Sequence, residues 1–320
     1  MKLFIKNISY LGMMLFIISV ISFLAIHLAP NSFFAAGDLN PNITKESLEH
    51  LKTIYGLDKP LYVQYLSWIN SILHLDFGIS FASGKPVREE ILSRIGITLT
   101  INIISMIFIF VTAIYLGIKA ALKQNSFLDR ALKQFSLVSF AIPSFYLALL
   151  LILFFSVKLG WFPISGLHSL ETKSGFSYYL DEAWHLVIPI FVLVFGGIGT
   201  LAMYIRGLTI DILKSDYIFF AKARGIDKES LFKRYIVPNL SPPVVTILGL
   251  SLPGLIGGSV ILESIFSING MGLLFYQSAL SRDYPVIMGI LIISAFLTLL
   301  GNMIADLVLL KLNPHFKRNV

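Results

Sequence analysis

Six stretches of the chain carry no charged side chain, namely Ile8–Leu28, Ile97–Ile118, Phe135–Val157, Leu186–Ile205, Val244–Leu262 and Tyr284–Ala305. Each is close to the roughly 20 residues that a helix needs to cross the hydrocarbon core of a bilayer. The pattern therefore predicts an all-α integral membrane protein with six transmembrane helices. The polar segment after the first stretch is too long for a simple connection and predicts a small helical insertion. There Leu48, Leu51 and Tyr55 share one helical face and Gly56 marks a stop. Pro60 opens a second amphipathic run through Leu61, Tyr65, Trp68, Ile72 and Leu75, expected to lie on the membrane surface. The expected organisation is a first helix at 1–29, an insertion at 30–96 and a five-helix core at 97–320.

Composition agrees with this reading. The mean hydropathy is +0.80 and 56% of residues are hydrophobic, against about 45–50% in soluble domains. Lys2 and Lys6 precede the first apolar run, which is too long for a signal h-region and is read as a retained helix. Cysteine is absent, which excludes disulfides, thiolate metal sites and cysteine nucleophiles. With the amino terminus inside, the cytoplasmic pieces hold 16 of the 25 Lys and Arg residues, and the outer pieces hold 12 of the 18 acids. That asymmetry fits the positive-inside rule with both termini cytoplasmic. The net charge of +7 thus reports topology and gives no reason to invoke nucleic acid.

One charged island interrupts the apolar pattern, from Asp216 to Pro238 inside the expected cytoplasmic loop 206–243. Gly225 supplies the backbone freedom that ends a helix, and Asp227 can cap the next. The island thus predicts two short helices around a turn, closed by Pro238, Pro242 and Pro243. Ala221, three residues, Gly225, nine residues and Tyr235-Ile-Val-Pro238 resemble the coupling loop of ATP-binding-cassette importer permeases, written Glu-Ala-Ala, three residues, Gly, nine residues, Ile-x-Leu-Pro. Phe219 and Phe220 depart from the generic Glu and Ala, and the Ala-x-Ala-x-Gly form is similar to the peptide and nickel branch. The likeness extends through Tyr55-Gly-Leu-Asp-Lys-Pro-Leu61, Leu159-Gly-Trp-Phe-Pro-Ile-Ser-Gly166, Trp184-His-Leu-Val-Ile-Pro189, Glu263-Ser-Ile-Phe266 and Arg282-Asp-Tyr-Pro285.

The resemblance implies a cell inner membrane permease subunit that binds no cofactor and performs no covalent chemistry. It pairs with a homologous second permease, two ATPase subunits that hold ATP and Mg, and an extracytoplasmic solute-binding protein. Asp216, Tyr217, Ala221, Lys222, Ala223, Arg224, Gly225 and Pro238 are the implied ATPase-coupling residues. The run Leu73-His-Leu-Asp-Phe-Gly-Ile-Ser-Phe-Ala-Ser83 is most similar to the nickel permease subunit, making chelated nickel the first expected cargo and short peptides the alternative. Weak metal candidates are His27, His74 and His185, because imidazole is a natural nickel ligand.

Pro143, Pro189, Gly254, Gly257 and Gly258 are candidates for the pathway or for helix packing, as are Pro253 and the cluster Gly196, Gly197 and Gly199. Asp306 is expected near the inner end of the last helix, and the basic loop Lys119–Lys133 to face anionic lipid. Two other classes remain as rivals. A membrane-embedded enzyme would need converging reactive groups, yet no apolar run carries paired carboxylates, Gly-x-Ser-x-Gly or His-Glu-x-x-His. A secondary transporter would more often carry mid-membrane charge or an inverted repeat.

Overall fold

The computed structural model describes residues 2–28, 59–169, 174–252, 254–257 and 260–312. The insertion helix expected around Leu48, Leu51, Tyr55 and Gly56 lies outside these residues, as do Pro253, Gly258 and the side chains of His27 and Asp306. Among the described residues the chain is helical and contains no strand; a single bridge pairs Ile79 with Pro86. Two compact units form, residues 1–97 with 270–300 and residues 98–269 with 301–320.

In the first unit, α1 (Lys2–Leu28) is joined by α2 (Leu61–Leu73), which begins directly after Pro60. The aromatic face of α2 packs on α1. The Tyr65 ring lies 5.4 Å from that of Phe23, its hydroxyl hydrogen-bonds the Ser19 hydroxyl at 2.8 Å, and Trp68 lies 5.7 Å from Phe23. The run stops short of Leu75, whose φ of 58° is left-handed. The first turns of α3 (Val87–Leu122) meet α12 (Met271–Ser281) and α13 (Tyr284–Leu312) through Val87, Ile91, Met271, Leu274, Val286 and Ile290. α12 lies in the connection between the fifth and sixth uncharged stretches. Beyond it, the buried Asp283 carboxylate accepts the Ser80 hydroxyl at 2.5 Å and the amides of Phe81 and Ala82 at 3.1 and 3.2 Å, anchoring the turn before α3.

The second unit contains the remainder of α3, then α4 (Phe127–Ala141), α5 (Ser144–Leu151) and a π-helical extension, Ile152–Lys158. α6 (Phe176–Lys214) is the longest helix described. α7 (Asp216–Ala223) and α8 (Lys228–Leu231) follow, with a second π-helical segment, Phe232–Ile236. α9 (Val237–Ser251), α10 (Gly254–Gly257) and α11 (Val260–Ile265) follow, and the end of α13 from Gly301 also belongs to this unit.

Among the described residues, three helices are long and apolar enough to cross a membrane, at 87–122, 176–214 and 284–304. The stretch Phe135–Val157, expected as one helix, is instead two segments bent by 96°. The ring of Pro143 disfavours helical geometry in the residue before it, and Ile142 is accordingly extended, with φ −86° and ψ 118°. Pro143 then precedes the first turn of α5. In the stretch Val244–Leu262, α9 ends at Ser251, Leu252 forms a turn, and the described residues that follow are helical in α10 and α11. In contrast, Pro189 sits buried inside a continuous α6.

Small residues set the helix spacing in this unit. A Cβ added at Gly117 of α3 would stand 2.6 Å from the Ala202 carbonyl oxygen and 2.9 Å from Ile205 Cβ on α6. Gly199 of α6 faces α4 equally closely, and its carbonyl accepts the Ser136 hydroxyl at 2.9 Å. Gly196 has nothing within 4 Å. Gly117→Ala should therefore force α3 from α6 and destabilise the detergent-solubilised protein by about 1–3 kcal/mol, whereas Gly196→Ala should leave its thermal unfolding midpoint unchanged or raised. Equal effects of the two substitutions in a thermal-unfolding assay would contradict this account of the interface.

Candidate functional site

The charged island folds as two short helices. α6 and α7 are separated by Ser215 alone, whose extended backbone (φ −70°, ψ 151°) turns the chain sharply. α7 ends in paired bonds from the Ile226 amide to the Ala221 carbonyl (3.2 Å) and from the Gly225 amide to the Lys222 carbonyl (3.0 Å). This closure requires a left-handed residue, and Gly225 supplies it with φ +75°. The Asp227 side chain then accepts the Ser230 amide at 2.9 Å and caps α8. That amide holds the Asp227 carboxyl below the usual carboxylate range.

Ile218, Ala221 and Leu231 are buried together in this pair of helices, with Ile212, Ile226 and Tyr235 packed around them. Ala221, implied by the resemblance as a contact position, thus faces inward and holds α7 to α8. The outward surface consists of Tyr217, Phe219 and Phe220 beside the exposed Asp216, Lys222, Ala223, Arg224 and Gly225. Phe219 and Phe220 are 69% and 60% exposed, with their rings edge to face at 5.7 Å. Their departure from the generic Glu and Ala was the signal in the sequence for this aromatic surface.

Pro238 is exposed in the first turn of α9. Neither it nor Pro242 and Pro243 closes the island, because α9 continues through them. Pro242 has no N–H to offer the Pro238 carbonyl, and the Ser241 hydroxyl donates to that carbonyl instead, at 3.1 Å.

Two turns before Ser215, α6 carries Arg206. Its Nε donates to Oδ1 of Asp129, and its terminal NH2 to Oδ2 at 3.0 Å. Asp129 stands in the first turn of α4 with a fully buried side chain, and also receives the Asn125 amide at 2.9 Å and Lys133 Nζ at 3.0 Å. Lys133 therefore serves an ion cluster. In the same basic loop Lys119 stands over the Tyr115 ring at 4.1 Å. Asp129 and Arg206 are 77 residues apart, and the sequence offers no sign of the pair.

His74 is exposed at the end of α2, where its Nδ1 bonds the Asn70 carbonyl at 2.7 Å, whereas His185 is buried in α6 with Nδ1 bonded to the Asp181 carbonyl at 2.7 Å. Among the described residues, no three His, Cys, Asp or Glu side chains gather as a metal site. Pro143 is exposed and Pro189 buried, Gly254 lines a cavity with α3 and α6, and Gly257 ends α10.

Residues 113–318 match the family described as binding-protein-dependent transport system inner membrane component, and residues 1–102 match that family's amino-terminal component. The chain is 38% identical over 301 residues to the oligopeptide transport system permease protein AppB of Bacillus subtilis, covering 94% of each. It is 33% identical to the glutathione transport system permease protein GsiC of Escherichia coli O1:K1, covering 98% of each. A solved structure of the MetNI methionine ABC transporter in an inward-facing conformation has a similar fold. Its TM-score is 0.52 at 18% identity, with 70% of this chain and 96% of that chain covered.

Removing one partner from a buried ion pair costs about 3–5 kcal/mol, because the other charge is left uncompensated. Asp129→Asn should accordingly lower the thermal unfolding midpoint of the solubilised protein far more than Lys133→Met, since the Lys133 side chain is 41% exposed. Indistinguishable midpoints for the two variants would show that the cluster does not hold α4 to α6.

Proposed function

We propose a peptide cargo for this chain, which belongs to the family of binding-protein-dependent transport system inner membrane components and is a multi-pass permease subunit of an ATP-binding-cassette importer. The observation that carries the cargo is the full-length similarity to permeases named for oligopeptide and glutathione transport. These relatives favour peptides over the nickel that the run Leu73–Ser83 alone suggests. Weak, distributed contacts also suit a subunit that must release its cargo.

In this reading six spans cross the membrane with both termini cytoplasmic. The organisation is a first helix at 1–29, an outer insertion at 30–96 and a core at 97–320. A homologous permease completes the pathway, two partner ATPases bind ATP and Mg, and a solute-binding protein delivers the peptide from outside. The α7–α8 pair is the coupling element. Phe219 and Phe220 are its apolar anchors on an ATPase, Lys222 and Arg224 its electrostatic partners, and Gly225 the turn that fixes the two helices as one body. Because only Ser215 separates α7 from α6, displacement of α7 by an ATPase would be delivered directly to a 39-residue helix.

Uptake of a labelled oligopeptide and of labelled nickel, with and without chelators, should be measured in cells producing the chain with its partner subunits. Peptide uptake that nickel does not compete is expected; nickel uptake without peptide uptake would overturn the cargo. Two substitutions test the coupling element. Gly225→Pro cannot adopt φ +75° and lacks the amide that closes α7, so it should abolish uptake while the subunit remains inserted. Phe219→Ala combined with Phe220→Ala should reduce co-purification of the ATPases about tenfold or more, as loss of aromatic anchors does at interfaces. Undiminished uptake and co-purification would remove these residues from the coupling role.

A further inference from the structure

Within the second unit, α3, α6 and the break between α9 and α10 surround a cavity of about 470 Å³, in the size range of small-molecule sites. Its wall is mostly apolar and includes no charged residue. The polar groups on it are the side chains of Asn102 and Ser105 on α3, Thr200 and Tyr204 on α6, and Ser251 at the end of α9.

Two of these groups are unusual. Asn102 Nδ2 donates to the Leu255 carbonyl at 3.0 Å, bracing the chain just past the break. Its Oδ1 is left as an acceptor. Ser105, one of the residues that line the cavity, is 3% exposed, and its buried hydroxyl has no hydrogen-bond partner. A buried hydroxyl without a partner costs about 1–3 kcal/mol, and native proteins rarely retain one without a reason. Here the missing partner would come from whatever enters the cavity.

The chemistry of the wall selects among occupants. A metal ion would find neither imidazole nor carboxylate there. An acyl chain would fill the apolar part but leave the Ser105 hydroxyl and Asn102 Oδ1 unpaired. A peptide matches both kinds of surface, since it presents apolar side chains together with amide N–H and C=O groups. We propose that the cavity is a docking station for one apolar side chain of a peptide in transit, with Ser105 donating to an adjacent peptide carbonyl and Asn102 Oδ1 accepting an adjacent amide. This rests on the peptide cargo argued above. Because no charge is engaged, the station holds its occupant weakly and discriminates by side-chain bulk.

The sequence contains no cysteine, so single reporters can be placed without a background. Thr200→Cys and Ser251→Cys would report on the cavity and Ser144→Cys, exposed and outside its lining, would serve as control. The complete transporter, in liposomes with its binding protein, ATP and Mg, is labelled with a maleimide in the presence of trileucine, triglycine or no peptide. Trileucine should slow labelling at 200 and 251 more than triglycine does, and neither should alter labelling at 144. In parallel, Thr200→Trp, which fills the mouth of the cavity from an exposed position, should lower trileucine uptake relative to triglycine uptake about tenfold. An unchanged uptake ratio, or labelling insensitive to peptide, would overturn the docking station while leaving the peptide cargo intact. Labelling that is slow in lipid and fast in detergent regardless of peptide would assign the cavity to an acyl chain. If the unaltered transporter takes up neither peptide, the cargo itself falls, and the station with it.

Discussion

A backbone in hydrocarbon has no water to bond, so each carbonyl or amide released by a break in a helix must find a partner inside the protein. This chain breaks its helices often, and side chains and distant amides meet the demand. The Ser241 hydroxyl serves the Pro238 carbonyl that Pro242 cannot, and Asn102 reaches from α3 to the Leu255 carbonyl past the α9 break. The Gly166 amide, in the loop after the first π-helical segment, bonds the Phe266 carbonyl at 2.7 Å. At these three places a specific donor meets the released or loop carbonyl, one of them on the cavity wall and another in the first turns of α9, just after the α7–α8 pair.

The same shortage of water governs the charges. Asp129 is tolerated with a fully buried side chain because Arg206, Lys133 and the Asn125 amide surround it. Glu263, also buried, accepts the Thr98 hydroxyl at 3.0 Å. A buried pair of this kind is a weak source of net stability, since desolvation offsets most of the attraction. Its value lies in geometry. The bidentate Arg206 fork fixes the start of α4 against α6 two turns before Ser215, so that the two helices are held in register close to the α7–α8 pair.

Features set by local rules were legible in the sequence. The three long apolar helices were visible as uncharged runs, and the turn at Gly225 with its Asp227 cap followed from residue type and spacing. What failed to be legible depends on direction or on distant partners. Prolines illustrate the first: Pro143 produces a 96° bend, Pro189 leaves α6 continuous, and Pro242 is absorbed by a neighbouring serine. Nothing in the residue type distinguishes these outcomes. Ala221 and Phe220 are adjacent, yet one is buried and the other exposed, and the distinction arises only when Leu231 packs back on α7. The Asp129 cluster joins residues that no local pattern connects.

Cargo was the least legible property, and the structure gives a physical reason. The run that pointed to nickel, around Asp76-Phe-Gly-Ile-Ser80, is occupied with folding. Asp76 Oδ1 accepts the Gly78 amide at 2.9 Å, Gly78 takes a φ of +80°, and Ser80 donates to the buried Asp283. Those residue types are explained by a turn that must be anchored before α3. The cavity is silent on cargo, since its hydroxyls, carboxamide and apolar wall would accommodate many peptides. The residues most sharply specified by their surroundings, such as Gly225, Asp129 and Asp283, serve the construction of the machine, not the choice of its load.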